Sequence, residues 1–146
     1  MKSWLTSDTR ENSSPRPVSY RVELIDDAFQ DLERVNRTGR ILDFLAKLVR
    51  IEPVGAQAGE PLGHRERMGQ NLIGWRKIVM GDRDWRIVFR VEEQARIATV
   101  LVIGDRADAQ CYEEALRRLE RLPEHQGGRS LSDAMLTLLA RRASRR

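Results

Sequence analysis

The chain has few of the features that stabilise secreted proteins or anchor proteins in membranes. Cys111 is the only cysteine among its 146 residues, so no disulfide can form within the chain, and a reducing compartment is favoured. No apolar run approaches the roughly 20 residues that cross a bilayer. Residues 1–17 contain no signal-peptide core. We therefore expect a cytoplasmic protein without a membrane partner.

Several motifs of metal, nucleotide and acyl-transfer chemistry are also missing. The two histidines, His64 and His125, form no cluster of metal-ligand spacing with Cys111 or the carboxylates. The sequence contains neither a glycine-rich phosphate-binding loop ending in Lys-Ser or Lys-Thr nor a nucleophile-elbow serine. These absences predict a protein that uses no metal and no cofactor.

The charge that is present is unevenly distributed. The formal net charge is +4, yet residues 18–122 hold 18 basic and 18 acidic residues. Within that stretch, residues 22–33 hold five acids and no base, whereas residues 65–90 hold seven bases and three acids. A neutral body with one basic region favours a localised site for an anion.

The spacing of apolar residues predicts the order β-α-α-β-β-β-α. The first two helices form a hairpin, and three consecutive strands favour an antiparallel meander. We expect an α+β fold in which the hairpin packs on one face of an antiparallel sheet and the other face is free. The predicted elements are a strand over 18–25, helices over about 26–35 and 38–51 (the latter stopped by Pro53), strands over about 72–80, 85–91 and 96–103, and a helix over about 108–122.

Composition divides the chain into three parts. Residues 1–17 are rich in Ser, Thr, Asn and Pro and are expected to be disordered. Residues 18–122 form the predicted domain. Residues 123–146 begin with a proline and contain a glycine pair and an apolar stripe ending in arginines, which predicts a basic amphipathic helical extension.

Alternation along the strand over 85–91 places Arg86 and Arg90 on the face away from the helices. A symmetric turn before this strand pairs Met80 with Trp85. Lys77 then lies diagonally between Arg86 and Arg90, about 7–8 Å from each. Three neighbouring cations repel one another, which favours either an anionic ligand or acidic side chains beside them.

Further candidate residues flank this cluster. The same register points Arg76 towards the core side, although a bulge in the turn would exchange Arg76 with Lys77. Arg106 follows the last strand. Tyr112 lies in the first turns of the last helix, where it either reaches a ligand or packs on the sheet as an anchor. The glycine-rich loop adds His64, Arg65 and Arg67.

At these residues the chain resembles the RelE/ParE superfamily, the toxins of bacterial type II toxin–antitoxin pairs. The resemblance covers roughly residues 18–122 and includes the order of strands and helices. The retention of Tyr112 tilts it towards the RelE- and HigB-like members. It rests on Tyr20, Glu60-Pro61-Leu62-Gly63, Trp75-Arg76-Lys77, Gly81-Asp82-Arg83-Asp84-Trp85-Arg86-Ile87-Val88-Phe89, and Ile103-Gly104-Asp105-Arg106 before Tyr112.

The resemblance implies a ribosome-dependent, metal-independent endoribonuclease in which the 2′-hydroxyl of mRNA attacks the adjacent phosphodiester. The implied partners are a cognate antitoxin and mRNA on the ribosome, with contacts to 16S rRNA. Two alternatives stay open: a ParE-like inhibitor of DNA gyrase without nuclease activity, and a non-catalytic nucleic-acid-binding module. The matching catalytic positions are Lys77, Arg86, Arg106 and Tyr112, and the candidate RNA contacts are Arg76, Arg90, Arg65, Arg67 and His64.

Overall fold

A computed structural model describes residues 19–61, 74–81, 85–105, 108–121 and 128–144. Its helices and strands confirm the predicted α+β class. The predicted disordered segment, residues 1–17, lies outside the described residues. The elements are β1 (Arg21–Leu24), α1 (Asp26–Asn36), α2 (Ile41–Val54), β2 (Glu60–Pro61), β3 (Trp75–Met80), β4 (Trp85–Glu92), β5 (Ile97–Gly104), α3 (Asp108–Arg121), β6 (Arg129–Ser130) and α4 (Leu131–Ser144).

The strands form one sheet in the order β2-β3-β4-β5-β1-β6. The predicted antiparallel meander of β3, β4 and β5 is confirmed. The sheet is nevertheless mixed rather than wholly antiparallel, because β1 pairs with β5 in parallel. Alternation of apolar residues determines which face a strand buries, and it carries no information on strand direction. The short strand β2 lies in the glycine-rich segment predicted as a loop, and β6 follows the glycine pair, where no strand was predicted.

The helical hairpin of α1 and α2 packs on the face of β4 that carries Trp85, Ile87 and Phe89. The ring of Phe44 on α2 meets Trp85 edge-on, with ring centroids 5.4 Å apart and an interplanar angle of 84°. This confirms the predicted orientation of β4. The helix α2 continues past Pro53 and ends at Gly55, whose φ of +59° is left-handed.

We call the opposite face of the sheet the second face. The sequence analysis predicted that this face is free, but the structure shows that it is partly covered. Val88 and Val102 pair on this face and are 0% and 4% exposed. The helix α3 contacts β4 and β5. A Cβ built on Gly104 would lie 3.6 Å from Cys111 Sγ of α3. In the sequence, the apolar residues Val88 and Val102 at outward-facing strand positions indicated that this face is covered.

The C-terminal elements close the β1 side of the sheet. β6 pairs antiparallel with β1 through Glu23 and Ser130, so that edge of β1 is not left open. The helix α4 contacts β1, α1 and α2 and buries Leu131, Ala134 and Leu138. No helix in the described ranges is long and apolar enough to cross a membrane.

Candidate nucleic-acid site

Three cations lie on the second face, as the sequence predicted. Met80 pairs with Trp85 and Lys77 with Val88, so the symmetric register is confirmed. Because paired residues share a face, Lys77 projects on the same side as Arg86 and Arg90, two residues before and after Val88. We call Lys77, Arg86 and Arg90 the cation cluster.

The cation cluster is partly withdrawn from water. Lys77 is only 7% exposed, and Arg86 and Arg90 are half-buried. The Nε of Arg90 is buried and has no hydrogen-bond partner among the described residues. An unsatisfied buried donor costs about 1–3 kcal/mol. An anionic ligand would accept a hydrogen bond from this donor and would reduce the repulsion among the three cations.

Tyr112 lies in the hydrophobic core. Its side chain is 0% exposed, and its neighbours on the same side of α3, Cys111 and Ala115, are buried with it. Of the two alternatives for Tyr112, the structure shows the one in which the side chain packs inside the fold. In this position the side chain has no access to solvent. Tyr112 holds α3 in the fold, and in this arrangement it does not reach a ligand on the surface.

The remaining predicted site residues are not brought into the cation cluster. Arg76 pairs with Phe89, which places it on the hairpin face of the sheet. The other four predicted residues fall outside the described ranges: His64, Arg65, Arg67 and Arg106.

A buried ion pair that the sequence analysis missed lies beside the second face. The strand β1 pairs with β5 only as far as Val100, and the Asp31–Arg118 pair occupies the edge beyond. Asp31 accepts a hydrogen bond from the backbone N–H of Ile103 at 3.0 Å. Arg118 donates from Nη1 to Asp31 Oδ2 and to the carbonyl oxygen of Leu101, each at 2.7 Å. These side chains bind backbone groups that a neighbouring strand would otherwise bind.

The charges around this pair support one another. Burial disfavours charged Arg118, but its hydrogen bonds and the charges of Asp31 and Glu114 outweigh burial and raise the pKa of Arg118. Burial likewise opposes the charged form of Glu114. The hydrogen bond and charge of Arg118, with the charges of Arg117 and Arg121, outweigh it and lower the pKa of Glu114. Both groups are therefore held in their charged forms.

A cleft of about 580 Å³ opens between α1, α3 and the end of β5. Its lining includes Gly104, which pairs with Arg86 of the cation cluster. Among the described residues, four acidic and three basic side chains line the cleft, so the charges of these seven side chains nearly cancel. The charged residues are Asp31, Asp105, Glu113, Glu114, Arg34, Arg117 and Arg118.

Solved structures similar to this chain include two toxin structures. The free E. coli toxin RelE with two arginine-to-alanine substitutions is 19% identical, with a TM-score of 0.54, over 69% of this chain and 98% of that one. The RelBE2 toxin–antitoxin complex of Mycobacterium tuberculosis is 21% identical, with a TM-score of 0.46, over 61% and 100%. No family model and no curated protein matches the chain. On the first of these structures, the chain has the fold of the RelE toxins.

Proposed function

We propose that the chain is the toxin of a type II toxin–antitoxin pair and cleaves mRNA on the ribosome. The observation that carries this proposal is the cation cluster on the second face of a RelE-like sheet. Lys77 lies between two arginines there, and the buried Nε of Arg90 has no partner within the part of the chain that the structure describes. In this fold, the phosphodiester of RNA is the first anion to consider.

The proposed reaction is an internal transfer within the RNA. The 2′-hydroxyl loses its proton and its oxygen bonds to the adjacent phosphorus, while the bond from phosphorus to the 5′-oxygen breaks. The leaving 5′-oxygen gains a proton, so the products are a 2′,3′-cyclic phosphate and a 5′-hydroxyl. We propose that the step proceeds without a metal ion, since the nucleophile is part of the substrate.

Each member of the cation cluster receives a role in this proposal. Arg86 stabilises the charge that builds on the phosphoryl oxygens, where a guanidinium can donate two hydrogen bonds at once. Arg90 orients the phosphate with its Nε, which no described residue binds. A guanidinium stays protonated and cannot be the base. Lys77 is therefore assigned as the base that accepts the proton of the 2′-hydroxyl. Arg106 stays a sequence-based member of the site.

The partners and domains belong to the same proposal. Residues 18–122 would form the toxin unit and residues 123–146 an addition to it. A cognate antitoxin would cover the cation cluster or the helical hairpin and keep the toxin inactive in the cytoplasm. On the ribosome, we expect contacts to 16S rRNA, with His64, Arg65 and Arg67 as candidate contributors.

Primer extension on translated mRNA tests the proposal directly. The purified chain is added to a translation reaction and, separately, to the same mRNA without ribosomes. We expect cleavage that requires ribosomes and is lost by about 100-fold or more in Lys77→Ala and Arg86→Ala. The matched controls are Lys47→Ala and Arg50→Ala, at exposed positions on α2. These control variants should cleave as the unchanged chain does.

Three outcomes would overturn the proposal. Inhibition of DNA supercoiling without mRNA cleavage would favour a gyrase inhibitor. Ribosome or RNA binding without cleavage would favour a non-catalytic binding module. Full cleavage by both Lys77→Ala and Arg86→Ala would leave the nuclease activity in place but remove the cation cluster as its site.

A further inference from the structure

The last residues of β5 form the strand pairs that position Arg86 on β4. Ile103 pairs with Ile87, and Gly104 pairs with Arg86. On the other side of β5, the parallel pairing with β1 stops at Val100. Within the described ranges, the last residues of β5 therefore have a strand on one side only. At that place the edge is bound by side chains instead.

The Asp31–Arg118 pair has the geometry to hold this edge. Asp31 accepts from the N–H of Ile103, one residue before Gly104, and Arg118 donates to the carbonyl oxygen of Leu101. An acceptor and a donor are both required, and a carboxylate paired with a guanidinium supplies both. The pair thus binds β5 on the side away from Arg86.

The same pair also fixes α3 against the sheet. Arg118 belongs to α3, and Cys111 of that helix lies beside Gly104 on the second face. The Asp31–Arg118 pair is therefore linked to Gly104, the residue that pairs with Arg86, through both the strand and the helix.

A buried pair of this kind is poorly explained by stability alone. Asp31 and Arg118 are 2% and 8% exposed, and well-packed apolar residues of similar volume often stabilise a fold as much or more. The directed hydrogen bonds to the backbone of β5 are what apolar residues cannot provide. This points to a requirement for exact placement of the strand end.

We propose that Asp31 and Arg118 are positioning residues that fix Arg86 for the cleavage reaction. The proposal rests on the proposed function, because it assigns Arg86 a role in RNA cleavage. Neither residue touches RNA in this account. A shift of about 1 Å in a reacting group can cost about 100-fold in rate, so a modest release of the strand end is sufficient to lower activity.

The test compares Asp31→Asn with the core variant Leu48→Ala. Leu48→Ala serves as a control that lowers the melting temperature by an amount similar to Asp31→Asn. Leu48 is 0% exposed on α2 and takes no part in the hydrogen bonds of the pair. We expect the single-turnover cleavage rate to fall by about 100-fold in Asp31→Asn, with little change in half-saturation. The rate of Leu48→Ala should match that of the unchanged chain under conditions where both are folded.

Two further variants separate positioning from stability. Asp31→Leu combined with Arg118→Met removes both charges together and should fold, yet we expect it to cleave as slowly as Asp31→Asn. In an Arg86→Ala background, Asp31→Asn should have almost no further effect, because the group that it positions is gone. The proposal would be overturned if Asp31→Asn or the double variant cleaved at the rate of the unchanged chain. It would also be overturned if Asp31→Asn lowered the cleavage rate of Arg86→Ala as much as it lowers that of the unchanged chain.

Hydrogen exchange gives a readout that does not depend on cleavage. The amides of Ile103 and Gly104 should exchange faster in Asp31→Asn than in Leu48→Ala. If the unchanged chain cleaves nothing, the proposed function fails and these amides decide whether the pair holds the strand end. If the chain cleaves but the amides and the rate are unaffected by Asp31→Asn, the positioning role fails and the proposed function stands.

Discussion

The guanidinium carbon of Arg129 lies 4.1 Å from the centre of the Phe29 ring and joins β6 to α1. Arg141 of α4 lies 5.8 Å from the same ring and forms an ion pair with Glu33 of α1. Cation–π contacts of this type contribute about 0.5–2 kcal/mol each. The C-terminal elements are therefore attached to the folded body by polar contacts as well as by apolar packing.

Leu138→Ala should destabilise the protein strongly. Leu138 is 1% exposed in the packed side of α4, and a buried leucine replaced by alanine typically costs about 2–5 kcal/mol. The matched control is Leu136→Ala, the same change two residues earlier at a side chain that is 67% exposed. It should alter stability by no more than about 0.5 kcal/mol. Urea unfolding measures both, and equal midpoints would show that α4 does not pack on the body.

Glu114→Gln should change how stability depends on pH. The pKa of Glu114 is lowered in the folded state from its ordinary 4.5. Its contribution is therefore present above about pH 4.5 and is lost as the pH falls through the lower folded-state value. We expect Glu114→Gln to cost less than about 1 kcal/mol at pH 7. Urea midpoints of the two proteins should converge as the pH falls through the folded-state pKa of Glu114, and a difference that grows on acidification would contradict this prediction.

Gly55→Ala should destabilise the junction between α2 and β1. Gly55 has a φ of +59°, and a Cβ there would lie 2.5 Å from the ring of Tyr20. The ring cannot easily move aside, because its hydroxyl donates to Glu93 at 2.6 Å and accepts from Arg96 at 2.9 Å. Backbone strain alone costs about 1–3 kcal/mol at such a position, and the clash adds to it.

Gly39→Ala is the matched control for this prediction. Gly39 also has a positive φ, +81°, but nothing lies within 4 Å of its Cβ position, so this change introduces backbone strain without a clash. Thermal unfolding should show the larger loss for Gly55→Ala. In a Tyr20→Ala background the two substitutions should cost similar amounts, and a persistent excess at Gly55 would mean that Tyr20 is not the obstacle.

The register of the cation cluster was predictable because short-range rules determine it. The sequence predicted a symmetric turn between Met80 and Trp85, which pair in the sheet, and alternation assigns a face to every later strand position. Lys77, Arg86 and Arg90 therefore reach one face without any knowledge of the rest of the fold. The parallel pairing of β1 with β5 joins distant segments, and the alternation pattern is the same for either direction.

The Asp31–Arg118 pair was missed although the sequence contained a signal for it. Asp31 interrupts the apolar stripe of α1 next to Leu32, and Arg118 follows Ala115 by three residues on the apolar side of α3. A charge within an apolar stripe indicates a buried partner. Nothing in the local pattern says which charge on another helix is that partner, because the pair joins residues 87 apart.

Tyr112→Phe should leave cleavage nearly unchanged, because the side chain that the resemblance places at the scissile phosphate is 0% exposed. A tyrosine acting as general acid or base would contribute about 100- to 10,000-fold, so the expected change is far below that range. Tyr112→Ala should instead cost about 3–5 kcal/mol of stability, as for other large aromatic side chains in a core. Single-turnover cleavage and urea unfolding of both variants separate the two roles. A folded Tyr112→Phe protein that loses at least 100-fold in cleavage rate would show that α3 moves and delivers Tyr112 to the RNA.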